Sequence, residues 1–101
     1  FPAHLLKLRD GRILSAYGYR REPGGVRAAL SEDGGVTWAM ENEVVLRDDG
    51  GYASSLKGGY GWRSDVGYPV SVQLDDDSVL TAYYITESDK ITHVAVTRWQ
   101  P

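Results

Sequence analysis

The side chains best equipped for chemistry gather in one compositionally distinct stretch and just beyond it. Residues 48–65 hold five glycines and no alternating apolar pattern. Within the stretch, Tyr52, Tyr60 and Trp62 carry flat amphipathic rings of the kind that stack on sugars and also anchor long loops. Arg63 adds a cation for substrate binding. Asp65, directly before Val66-Gly67-Tyr68, is a candidate general acid or hydroxyl ligand as well as a turn cap. Arg20, at a strand-to-loop step, offers a planar fork to a carboxylate. Arg27 is a further substrate-binding candidate, and its alternation with Val26 and Ala28 also lets it pair with Glu43 across a hairpin. No metal or cofactor is implied. Asp75-Asp76-Asp77 lacks the spaced ligand pattern of a calcium loop, and His4 and His93 lie far apart in the sequence. The absence of cysteine excludes disulfides and thiolate zinc sites.

A second group of residues has the chemistry of a tight turn. In Ser31-Glu32-Asp33-Gly34-Gly35-Val36-Thr37-Trp38, Asp33 can accept hydrogen bonds from backbone N–H groups two residues on. Gly34 and Gly35 supply positive φ at no steric cost, and the hydroxyls of Ser31 and Thr37 can close the ring. Trp38 places a large apolar face under the turn.

The elements that must position these residues are strands. Apolar alternation and turn residues predict strands over 3–8, 13–19, 26–31 and 38–46, one antiparallel meander in which the Ser31–Trp38 turn joins the third strand to the fourth. Arg20 to Gly25, with a proline and two glycines, reads as a loop. After the glycine-rich stretch, strands return over 68–74, 79–85 and 91–99. This second set repeats the first: Leu8–Tyr17 lies on Leu74–Tyr83 at an offset of 66, and the same offset sets Ala28–Ser31 on Val94–Thr97. The place of the Ser31 turn is then taken by Thr97-Arg98-Trp99-Gln100. Radial repetition of such sheets is the propeller signature.

A chain of 101 residues, 42% hydrophobic and 25% charged, suits one domain with a modest core. A net charge of −3 and a pI near 5.2 argue against a nucleic-acid backbone or an anionic membrane as partner. No apolar run approaches the roughly 20 residues of a membrane helix, and Phe1-Pro2-Ala3-His4 is no signal stretch. The chain reads as soluble. Lacking an initiator methionine, it also reads as a fragment, a processed product or an expression product.

The Ser31–Trp38 run resembles an Asp-box, Ser-x-Asp-x-Gly-x-Thr-Trp, and almost the whole chain resembles the C-terminal third of sialidase-like Asp-box (BNR repeat) β-propellers. The resemblance implies an all-β fold of antiparallel four-stranded meander sheets, two blades of a six-bladed propeller. Blade one is 1–47, the glycine-rich loop 48–65, and blade two, 66–101, lacks its outer strand. It makes Ser31, Asp33, Gly35, Thr37 and Trp38 structural. Gly67-Tyr68, followed by Leu74 and Asp76, matches the position of the nucleophilic tyrosine of sialidases, whose phenol is deprotonated by a glutamate. That glutamate falls at Pro2, an arginine of the carboxylate clamp at Gly18, and the glutamate after the tyrosine blade at Tyr84. The acid/base Asp and a first arginine fall upstream of Phe1.

Whether the chain is an enzyme stays open. The expected function is a catalytically incomplete sialidase-like unit that binds carbohydrate. The alternative is a glycoside hydrolase of exo-sialidase type, completed by oligomerisation or by upstream blades. The resemblance also suggests a secreted or periplasmic location. Two blades leave an apolar face at each end, which predicts self-association, with a trimer that rebuilds a six-bladed ring favoured over a dimer. Glycans are the other expected partner.

Overall fold

The computed structural model describes residues 3–19, 24–49, 66–86 and 91–101. Its elements are strands β1 (Ala3–Lys7), β2 (Ile13–Tyr19), β3 (Gly25–Ser31), β4 (Val44–Arg47), β5 (Val66–Gln73), β6 (Val79–Thr86) and β7 (Thr92–Trp99), with one 3-10 turn at Met40–Asn42. They form two antiparallel sheets, β1-β2-β3-β4 and β5-β6-β7. The fold is all-β, as the alternating pattern predicts.

The hairpin turns explain why the first two strands of each sheet match so closely. Leu8 N–H donates to Arg12 O at 2.8 Å and Gly11 N–H to Leu8 O at 3.0 Å. Leu74 N–H donates to Ser78 O at 2.8 Å and Asp77 N–H to Leu74 O at 3.0 Å. Asp10 then accepts from Arg12 N–H, and Asp76 from Ser78 N–H, each at 3.0 Å. The turns are the same, bond for bond, at the offset of 66. Gly11 takes φ +95°, and Asp77, at the matching place, is one of two described non-glycine residues with positive φ. Asp tolerates that region better than most side chains.

The third strand corrects the repeat. His4 pairs with Ala16 and Val70 with Ala82, an offset of 66 on both strands. Ala16 pairs with Ala28, whereas Ala82 pairs with Val96, so the third strand is offset by 68. Ala28–Ser31 therefore correspond to Val96–Trp99 rather than to Val94–Thr97. A two-residue shift leaves every side chain on its original face, so the sheets stay equivalent in pattern.

The fourth strand is shorter than expected. Ala39 N–H still donates to Leu30 O at 3.1 Å, but Glu43 N–H turns back to Met40 O at 3.1 Å. Ala-Met-Glu-Asn is a poor strand sequence, and pairing resumes only at Val44. Strand β5 begins at Val66, two residues before the expected start, and carries an irregularity between Gly67 and Val70.

The sheets pack face to face. Leu14 and Ala16 of β2 pack with Val79 of β6, and Val26 of β3 with Val66, Tyr83 and Ile85. These side chains are buried. We call this side of the first sheet its front and the opposing side of the second sheet its back. At Gly18 the backbones themselves approach: a Cβ there would lie 2.8 Å from Gly67 Cα and 3.1 Å from Val66 O. Polar contacts cross the same interface. Ser71 N–H donates to His4 Nδ1 at 3.1 Å, and Arg9 bonds Asp77 through Nε at 3.0 Å and through Nη2 at 2.7 Å.

Candidate functional site

Tyr68 stands at the irregularity of β5 with φ +49°, a strained backbone for a bulky residue. Its register neighbours supply the cause. Gly67 pairs with Tyr84, regular pairing resumes only at Val70 with Ala82, and Pro69 has no N–H to give the ladder. The extra residue turns the Tyr68 ring out, 59% exposed, onto the ring of Tyr84 at 5.6 Å between centroids and 30° between planes. The pair is an aromatic platform of exposed Tyr68 on half-buried Tyr84.

Gly18 abuts Gly67, which is followed by Tyr68, which stacks on Tyr84. Positions 18 and 84 are the two at which the propeller resemblance implies an arginine and a glutamate. A glycine and a phenol stand at those two positions. The chemistry of the ring pair is stacking and hydroxyl hydrogen bonding. Tyr84 as the stacking partner was missed by sequence reasoning, because a ring pair needs the β5–β6 register to be known.

Arg27 sits elsewhere, on the back of the first sheet. Its Nη1 lies 2.9 Å from Glu43 Oε1, its guanidinium carbon 3.6 Å from the centre of the Tyr19 ring, and Tyr17 Oη donates to the other Glu43 oxygen. The pairing with Glu43 across the hairpin is as the sequence suggests. Arg27, Glu43 and the two tyrosines satisfy one another, so Arg27 is a structural residue in this conformation. Arg20, Tyr52, Tyr60, Trp62, Arg63 and Asp65 lie outside the described residues.

The turn at Ser31–Trp38 closes as a ring of hydrogen bonds. Gly35 N–H donates to Ser31 Oγ at 2.9 Å, Ser31 Oγ to Asp33 Oδ1 at 2.8 Å, and Thr37 N–H to Asp33 Oδ1 at 2.8 Å. Thr37 Oγ1 donates to Asp33 Oδ2. The N–H donated to Asp33 in this ring comes from four residues on, not two, because Ser31 Oγ takes the one nearer the apex. Gly34 and Gly35 have φ +76° and +94°. A Cβ on Gly35 would lie 3.9 Å from the Trp38 ring, which sits under the turn. Donation from the Thr37 hydroxyl, then from Thr37 N–H and the Ser31 hydroxyl, lowers the Asp33 pKa to about 2.

Among the described residues no group of three or more His, Cys, Asp or Glu is placed to hold a metal ion. Asp76 of the acidic run is engaged by Ser78 and Arg98, and Asp77 by Arg9. Among the described residues no helix is long and apolar enough to cross a membrane.

Neither a protein-family model nor a curated protein matches the chain. Among solved structures it is similar to a crystal structure of a protein of unknown function from Dyadobacter fermentans DSM 18053, with 36% identity and a TM-score of 0.76. The match covers 99% of this chain and 24% of that one, so the chain spans about a quarter of the other protein's length. The likeness carries the backbone arrangement and names no activity.

Proposed function

We propose that the chain is a two-blade segment of a sialidase-like Asp-box β-propeller that binds carbohydrate without hydrolysing it. The propeller part is supported by two antiparallel sheets whose first hairpin turns match and which pack face to face, and by the hydrogen-bonded ring from Ser31 to Thr37 over Trp38.

The observation that carries the binding part is the Tyr68–Tyr84 stack at the irregularity of β5. A phenol needs a base to act as a nucleophile at neutral pH, and no carboxylate is among the hydrogen-bond partners described for Tyr68. Stacked phenols bind the apolar face of a sugar ring and hydrogen-bond its hydroxyls, which asks nothing of either missing charge.

The strained φ of Tyr68 favours a second reading. Such outliers gather at functional sites, and a tyrosine aimed by strain suits a glycoside hydrolase whose base and arginine clamp come from another blade or another copy.

A glycan array followed by titration separates the two. The binding reading expects retention of some glycans, no release of fluorophore from a sialoside, and affinity about tenfold weaker in Tyr68→Ala, the size of an aromatic contact. Turnover abolished by Tyr68→Phe would establish the hydrolase instead, and an array without any ligand would defeat both.

A further inference from the structure

We infer that the exposed front of the second sheet and the exposed back of the first bind each other between copies of this chain, head to tail. The interface inside the chain is the template. There, the front of the first sheet meets the back of the second. The other two sides are their repeats. Leu14 and Ala16 on the buried front correspond to Leu80 and Ala82 on the exposed front. Val79 and Tyr83 on the buried back correspond to Ile13 and Tyr17 on the exposed back.

The exposed front is apolar, and the exposed back sets apolar Leu5 and Val45 beside the mutually paired Arg27 and Glu43. On the front of the second sheet Val70, Val72, Val94 and Val96 are 57%, 53%, 75% and 57% exposed. On the back of the first, Leu5 and Val45 are 61% and 49% exposed. Alternating valines of β5 and β7 on one sheet face make a contiguous patch, which soluble monomers rarely leave uncovered. The two sides are different surfaces, so the contact is heterologous and each copy offers one of each kind.

Contacts follow from the repeat. His4 meets Ser71 inside the chain, so Val70 of one copy meets Leu5 of the next; Leu14 packs near Val79, so Leu80 meets Ile13. Tyr84 stands where Gly18 permits backbone contact. The two copies are thus held apart at that end, and the Tyr68–Tyr84 platform lines the gap.

The contact rests on the sheet repeat and needs no sugar ligand. Its closure into a ring of three copies rests in addition on the six-bladed reading.

Sedimentation equilibrium of the whole chain at micromolar concentration tests it. The expected mass is that of three 11.2 kDa chains. Val94→Glu blocks the front and Leu5→Glu the back, so each variant alone falls threefold in mass to the monomer, and an equimolar mixture forms a dimer through its one intact pair of faces. Val96→Glu repeats the front block should Val94→Glu lose its strand circular dichroism. An open polymer would uphold the contact and sink the closed ring. A wild-type monomer would overturn the inference and leave these faces to sheets of a longer polypeptide. Loss of association in Val94→Glu but not in Leu5→Glu would overturn it too, because the contact would then be front to front.

Discussion

Asp33 ties the Ser31–Trp38 turn together through its charge, and that makes the turn a source of acid sensitivity. Its pKa is lowered from 3.8 to about 2, chiefly by the Thr37 hydroxyl. A carboxylate depressed in the folded state contributes stability that is present above the unfolded value, and loses it as pH falls through the folded one. The expected window therefore runs from about pH 4 down to about pH 2. Asp76, held mainly by the Ser78 hydroxyl, and Asp10, held mainly by Arg12, are shifted in the same direction. Urea unfolding between pH 5 and pH 2, followed by Trp fluorescence, should show wild-type stability falling over this window and Asp33→Asn, already weaker at pH 5, falling less. Equal slopes would show that the carboxylate is not ionised in the ring. The importance of Asp33 was legible from residue types and spacing alone. Its backbone donor was not, because Ser31 and Asp33 compete for the same few N–H groups and only the folded turn decides between them. Arg27 with Glu43 was legible as a cross-hairpin pair. The share of Tyr17 in that cluster was hidden until the register set Tyr17 opposite Arg27.

At the scale of the strands, the decisive feature is how closely the sheets approach at Gly18. A methyl group there would meet Gly67 Cα at 2.8 Å, and both partners are backbone, so no side chain can move aside. Gly18→Ala should lower the unfolding free energy by about 1–3 kcal/mol, the usual range for overpacking, measured by urea denaturation. An unchanged midpoint would mean that β2 and β5 slide apart freely. Alternation and turn residues located β2 and β6 almost to the residue, since period-2 patterning runs through both and an Asp-Gly or Asp-Asp turn precedes each. The same signals overextended β4. Apolar Val44 to Leu46 marks the strand, whereas Trp38 and Met40 look like strand residues although they serve the turn and the 3-10 segment. The two-residue shift of β7 was invisible for a related reason: an even shift preserves every inside and outside position, so the hydrophobic pattern fits both offsets.

For the whole molecule, the two sheets match through their first three strands, each with a front and a back, and the described residues bury only one of each. The exposed valines of β5 and β7 and the exposed Leu5 and Val45 of the first sheet are the unused halves. That such faces exist at both ends was foreseeable from a two-unit repeat. Which residues meet across them was not, because it depends on the observed contact of His4 with Ser71. The chain contains no cysteine, so the contact can be tested by cross-linking without background. The most direct measurement pairs a Leu5→Cys variant with a Val70→Cys variant and a short bismaleimide. Head-to-tail stacking predicts covalent dimers in the mixture and almost none in either variant alone. Cross-linking of Val70→Cys with itself, or no product in the mixture, would contradict it.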